Sequence, residues 1–364
     1  MATKKKKKKK HLTKAQIRKK RQKTFLIIEF IVLILVLGAF FAWLKLGKID
    51  WATLKNLKTN TLDEETKVVL SGYTTLAFFG VDNRNVGNYD SGNSDSIMIA
   101  CINNDTKEVK IVSVYRDTFL DTGEGNLHKC NYAYNHGGIE QAMEMLNSNL
   151  DLDIQDYVAV DFKALADAVD AVGGIDLPDG LTGEEAAIMN QSYVSYTAEI
   201  VGKEGKEVKQ GQKHLDGVQA LSFCRVRYTK GGDFERASRQ REVLGLLADE
   251  MKSASLTELN DLIDAILPEV STNLYPSEIF TLATAMQDYT IVETRGFPFD
   301  MRGGKFGSKG DVVVPCTLES NVQKLYEYLY DDTTHISSNE LKAISENIEV
   351  YTGFGEEDAL DYGY

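Results

Sequence analysis

Two kinds of hydrophobic pattern divide this 364-residue chain. From Thr24 to Leu44 it is almost continuously apolar, with no Lys or Arg and a single acid, Glu29. At about 1.5 Å per residue that run just crosses a hydrocarbon layer of about 30 Å, so it predicts a transmembrane helix. It is longer than a secretory signal core, and no small-x-small cleavage site follows it. From Thr74 onward, short apolar runs alternate with helical spacing. Thr74 to Val81, Ser96 to Ile102, Glu108 to Val114, Tyr157 to Val160 and Thr290 to Phe297 read as strands. Gly138 to Leu150, Phe162 to Val172, Gly183 to Ile200, most of Phe234 to Tyr289 and Leu318 to Tyr330 read as helices. The predicted fold class is α/β, a three-layer α/β/α domain on a mixed central sheet, preceded by the single transmembrane helix. The boundaries fall at 1–23 for a basic tail, 24–44 for the span, 45–73 for a linker, 74–335 for the domain and 336–364 for an acidic tail expected to fray.

Charge gives this layout a direction. Residues 1–23 carry thirteen Lys or Arg and no acid, although the whole chain holds 41 basic against 54 acidic residues, a net charge of −13. By the positive-inside rule the basic tail stays in the cytoplasm, and the domain after the span lies outside the cell, on a single-pass membrane protein. The seven-lysine run then serves topology and contact with anionic membrane lipid, and nucleic acid is disfavoured as a partner. Four cysteines, Cys101, Cys130, Cys224 and Cys316, form neither the disulfide framework of a small secreted protein nor a metal-binding spacing. Cys224 is expected as a buried core thiol.

The candidate chemistry is concentrated in the run from Phe223 to Gln240. With Phe223 to Tyr228 as a strand, Arg225 and Arg227 share one face, a spacing suited to a diphosphate. The Gly231-Gly232 pair permits a reversal, Asp233 is expected to cap the following helix, and Arg236 and Gln240 share a helical face at i, i+4. Upstream, Asp82, Asp95 and Arg116-Asp117 stand at the ends of predicted strands, where loops of an open α/β sheet gather into a crevice. Paired carboxylates facing clustered guanidinium groups match a divalent-metal diphosphate site.

These segments together resemble the LytR-CpsA-Psr proteins of bacterial cell envelopes. The resemblance runs from about Thr74 to Met251: Gly80-x-Asp82-x-Arg84, Ser94 to Met98, Arg116-Asp117-Thr118, Asn131 to Gly138, Val172 to Ile175, and Arg225 to Gln240. It implies transfer of a glycopolymer from an undecaprenyl-diphosphate carrier to a peptidoglycan hydroxyl as a glycosyl phosphate, with an apolar groove for the prenyl tail. Carried over to this chain, it makes Asp82 and Asp95 the acids that hold Mg2+. It also places Arg84, Arg116, Arg225, Arg227, Arg236, Arg239 and Gln240 at the diphosphate, with Asp233 partnering the catalytic arginines. Two positions depart from the family pattern, Tyr115 in place of proline and Leu120 in place of a further arginine. A prenyl-diphosphate hydrolase and a membrane-anchored transcriptional regulator are the alternatives. No segment reads as a sugar-specificity motif, so the sequence leaves the polymer open between teichoic acid, capsule and other wall glycans.

Overall fold

The computed structural model describes residues 49–363, apart from 52, 53, 55, 56, 83–88, 90, 91 and 230. The predicted span 24–44 and the basic tail lie outside the described residues. Among those described, no helix is long and apolar enough to cross a membrane.

In chain order the strands are β1 (Asp50–Trp51), β2 (Tyr73–Asp82), β3 (Asn93–Asn103), β4 (Glu108–Val114), β5 (Phe119–Asp121), β6 (Leu127–Lys129) and β7 (Asp156–Asp161). Then come β8 (Ile175–Asp176), β9 (His214–Leu215), β10 (Val270–Thr272), β11 (Thr290–Phe297), β12 (Met301–Lys305) and β13 (Asp311–Pro315). The helices are α1 (Glu64–Ser71), α2 (Asn131–Leu150), α3 (Phe162–Ala171), α4 (Gly183–Ile188), α5 (Val194–Val201) and α6 (Gly217–Arg225). They continue as α7 (Gly232–Ser253), α8 (Leu256–Ile266), α9 (Pro276–Thr284), α10 (Leu318–Tyr330) and α11 (Asn339–Thr352).

The central sheet has the order β1-β10-β7-β2-β3-β4-β11. It is mixed, because β2, β3 and β4 pair antiparallel while β7 and β11 join parallel to β2 and β4. The period-2 pattern of the strands explains the layers. Ala77, Phe79, Ile97 and Ile99 pack with Tyr134 and Leu146 of α2 and Leu325 of α10. The alternate residues Leu76, Met98, Ala100 and Ile111 pack with Leu244 of α7 and Ile279 of α9. A sheet buried on both faces needs helices on both, and the α/β/α arrangement follows.

Two expectations give way. Phe223 to Arg225 is the end of α6, not a strand: Asp216 and Gln219 form a reciprocal capping box that starts a helix at Gly217, and the short apolar run continues it. The acidic tail is also ordered. In α11, Leu341, Ile344 and Ile348 recur at helical spacing and pack on the main core, and Ser338 caps the helix while donating to the buried Asp151. The exposed acids had masked this apolar stripe.

Candidate active site

The site begins with an irregularity in the sheet. Gly80 pairs with Ser96 and Val81 with Ser94, so Asp95 is the extra residue of a β-bulge. A bulge re-aims its side chain, and here it turns the Asp95 carboxylate toward three arginines. Glycine suits this close approach, since a Cβ on Gly80 would stand 3.0 Å from Ser96 Cβ and push it back by a few tenths of an ångström.

Arg116 follows β4 and donates from Nη1 to Asp95 Oδ1 at 2.7 Å. Arg227 Nη2 donates to Asp95 Oδ2 at 3.3 Å, and Arg236 Nη2 to the Asp95 carbonyl at 3.0 Å. On the other side stands Asp233, whose Oδ1 lies 3.5 Å from Arg116 Nε, 3.7 Å from Arg227 Nε and 3.1 Å from Arg236 Nε. Two carboxylates thus interleave with three guanidinium groups. Burial alone would raise the Asp95 pKa, but Arg116, Arg236 and Arg227 outweigh it and hold the carboxyl below its ordinary value. Burial pushes Arg236 the opposite way, down to about 10, with Arg116 and Arg227 adding to the effect against the pull of Asp233.

The cluster is under-satisfied. Arg116 Nε, Arg236 Nε and Asp233 Oδ1 are buried with no aligned hydrogen bond. These atoms face one another without good alignment, and three guanidinium groups against two carboxylates leave a positive balance that an incoming anion would neutralise.

Asp233 is not the helix cap. Gly231 occupies that position without a side-chain bond, Gly232 takes φ +55°, and Asp233 lies in the first turn, where Arg236 Nη2 donates to it at 3.1 Å. The positive φ at Gly232 favours glycine and frees the aspartate from capping. Arg225 diverges from Arg227 because it ends α6 whereas Arg227 follows the extended Val226. Its guanidinium sits over the rings of Phe162 and Tyr196 and donates to Thr197 Oγ1 at 3.2 Å. Arg239 is committed elsewhere. It bonds Glu185 and Glu235, each at 3.0 Å, and the Val226 carbonyl, so its guanidinium is engaged away from the Asp95–Asp233 cluster. Gln240 is half-buried on α7, one turn beyond Arg236. Arg84 lies outside the described residues. Leu120 is fully buried, so an arginine there would enter the core rather than the cluster.

Sequence reasoning missed two supports. Lys129 Nζ holds Asp117 Oδ1 at 2.8 Å, and Asp117 lies 3.8 Å from Arg116. The buried Cys130 thiol lies 3.1 Å and 3.2 Å from the carbonyls of Tyr115 and Arg116, fixing the chain that presents the arginine. Burial raises the Cys130 thiol pKa, so it stays protonated. All four cysteines are free and buried, Cys224 among them as expected.

Among the described residues no group of three or more His, Cys, Asp or Glu side chains is placed to hold a metal. Asp82, half-buried at the end of β2, has its Cα opposite Asn93, two residues before Asp95. Each Asp95 oxygen accepts one guanidinium hydrogen bond and retains a second lone pair, although Oδ2 also lies 3.7 Å from Arg236 Nη1. Mg2+ takes one or two carboxylates together with substrate phosphates and waters, and this donor set fits that habit.

The LytR_cpsA_psr family model matches residues 45–309. The chain belongs to the LytR-CpsA-Psr family. Among its relatives, the "Polyisoprenyl-teichoic acid--peptidoglycan teichoic acid transferase TagU" of Bacillus cereus (strain AH820) is 30% identical over 278 residues, covering 74% of this chain and 84% of that one. Two solved structures of the LytR-CpsA-Psr fold share the architecture. The crystal structure of B. subtilis TagV has a TM-score of 0.55 at 26% identity, over 71% of this chain and 97% of the other. A structure of TagT bound to LIIa-WTA has a TM-score of 0.57 at 17% identity, over 78% and 99%.

Proposed function

We propose that this protein is a membrane-anchored phosphotransferase that moves a glycopolymer from undecaprenyl diphosphate onto a peptidoglycan hydroxyl, leaving a glycosyl-phosphate bond. Its relatives' names favour a teichoic acid as the polymer. The observation that carries the reading is the under-satisfied cluster of Asp95, Asp233, Arg116, Arg227 and Arg236. Three interleaved guanidinium groups with spare donors suit a diphosphate, whose oxygens gain charge as the phosphorus is attacked.

In the proposed step the acceptor hydroxyl oxygen bonds to the sugar-proximal phosphorus. The bond from that phosphorus to the bridging oxygen breaks, and undecaprenyl phosphate leaves with the electron pair. Arg116, Arg227 and Arg236 orient the diphosphate and balance its developing charge. Asp95, held low by the arginines, aligns them and is a poor proton acceptor, and Asp82 and Asp233 are the other aspartates of the site to which the hydroxyl proton can pass, with Asp233 also aligned among the arginines. Mg2+, which Asp82 and Asp95 would hold, supplies further neutralisation of the phosphate oxygens.

The test is movement of labelled lipid-linked glycan onto peptidoglycan fragments by the full-length protein in detergent with Mg2+. Transfer to glycan is expected, whereas release of free glycan phosphate to water alone would replace the reading with a hydrolase. The anchor has its own check. Protease added to intact wall-stripped cells should remove the domain, and survival of full-length protein until lysis would overturn the proposed topology.

A further inference from the structure

The segment 353–363 lies beyond the residues matched by the family, yet it reaches Phe234, the neighbour of Asp233. After α11 the chain runs back along β12. Leu360 N donates to the Met301 carbonyl at 2.9 Å, and Asp358 accepts from Arg302 at 3.0 Å. Arg302 also lies over the Phe354 ring at 4.8 Å. These contacts lay a strap across the hairpin and deliver Tyr362 to one place. Its hydroxyl accepts from Gly303 N at 2.8 Å, and its ring meets that of Phe234 with centroids 5.2 Å apart. Phe234 in turn meets Tyr115 edge-on at 4.7 Å. With Met301, Val313 and Ala237, these three rings form a small apolar cluster of their own.

Position in the chain gives that cluster its importance. Phe234 directly follows Asp233, and Tyr115 directly precedes Arg116. The contacts from Asp233 Oδ1 to Arg116 and Arg227, at 3.5 Å and 3.7 Å, are long ionic approaches. The aligned hydrogen bond of Asp233 comes from Arg236, within the same helical turn, and cannot fix that turn against β4. Nor does a side-chain cap anchor the start of α7. Arg236 ties this turn to Asp95, through its bond to the Asp95 carbonyl, but does not itself touch β4; packing of the neighbouring rings adds the direct contact between the start of α7 and Tyr115, and Tyr362 closes that packing from outside. Catalytic groups held by long contacts depend on the shell behind them.

We propose that Tyr362 is a positioning residue of this site, which holds Phe234 against Tyr115 and so fixes Asp233 relative to Arg116 and Arg227. The proposal rests on the transferase reading above and assigns to the strap a role outside the family-matched region. A displacement of about 1 Å at a reacting centre costs on the order of 100-fold in rate, so loss of the ring should be read mainly in turnover.

The experiment compares full-length wild type, Tyr362→Ala and Tyr362→Phe in the transfer assay, with kcat and KM measured separately and thermal melting in parallel. The carboxyl 13C resonance of Asp233 is recorded as a readout free of activity. Tyr362→Ala is expected to lower kcat about tenfold or more with the donor KM within about twofold, and to move the Asp233 resonance. Tyr362→Phe, which keeps the ring, should restore both. A wild-type kcat or an unmoved Asp233 resonance in Tyr362→Ala overturns the inference, as does a kcat loss no larger than the loss of folded protein. A Phe variant as poor as the Ala variant also overturns it. If the wild type itself fails to transfer, the transferase reading falls, and the Asp233 resonance alone decides whether Tyr362 positions that carboxylate.

Discussion

Arg236 and Arg239 stand three residues apart on one helix, with side chains only 3% and 8% exposed, and they do opposite things. Arg239 is satisfied: two carboxylates, a carbonyl and the Thr229 hydroxyl take its donors, and its guanidinium lies over the Phe223 ring. Arg236 shares its two carboxylates with Arg116 and Arg227 and keeps a buried Nε without an aligned partner. A buried cation with full partners holds a fold together, whereas one packed beside two like charges stores repulsion that an anionic ligand relieves. Sequence spacing cannot separate the two, because both belong to the same Arg-x-x-Arg run.

The comparison breaks most visibly at the carboxylates. Asp233→Asn should cut transfer about 100-fold or more, the scale expected when charge aligned on a transition state is lost. The melting temperature should fall as well, because buried Arg236 loses one of its two anions, so transfer is compared per folded molecule. Prenyl-diphosphate binding should persist, since turnover falls more than affinity when ground-state contacts survive. Near-normal transfer by this variant would remove Asp233 from the mechanism. Arg227→Ala comes next. At 37% exposure it can be removed without opening the core, and the loss of a charge-assisted contact of ~1.5–3 kcal/mol should weaken prenyl-diphosphate binding about 10- to 100-fold by calorimetry. Arg239→Ala should show the reverse: a stability loss of about 2–3 kcal/mol as Glu185 and Glu235 lose their cation, with undiminished transfer per folded molecule. If Arg239→Ala instead weakens binding at unchanged stability, the division between the two arginines is wrong.

Much of this frame was legible in the chain. Glu108–Val114, Thr290–Phe297 and Leu318–Tyr330 were readable to the residue, because β-branched runs or helically spaced apolar residues mark them and turn, cap or proline residues bound them. The cluster was legible as a set of residues but not as a geometry. That Asp95 faces the arginines depends on a one-residue bulge, and register shifts leave no mark in the pattern of apolar residues. Arg225 and Arg227 looked like neighbours on a strand because a run of six residues suits either period, and the capping box at Asp216 decides for helix. The hairpin β12–β13 escaped notice because Gly303 and Gly304 interrupt its alternation, and with it escaped the strap that lies upon it. Lys129 gave no signal beyond standing two residues before Asn131.

The smallest expected effect is in pH. The Asp95 carboxyl is held below its ordinary value in the folded protein, so it contributes stability that is fully present above its unfolded value and lost as pH falls through the lower, folded one. Wild-type protein should therefore keep this contribution into the acid range, where isolated carboxylates are already protonated. Arg227→Ala removes one of the three cations that outweigh burial, which raises the folded value toward the unfolded one and shrinks the contribution. Acid unfolding followed by circular dichroism should then begin at higher pH in the variant, and the acid limb of prenyl-diphosphate binding should move the same way. Arg239→Ala provides the control, because Arg239 pairs with Glu185 and Glu235 rather than Asp95. It should lower stability across the pH range but leave the acid limb of binding where it is. Coincident acid limbs in wild type and Arg227→Ala would mean that Asp95 does not depend on that arginine, and that Arg116 and Arg236 alone define the anion site.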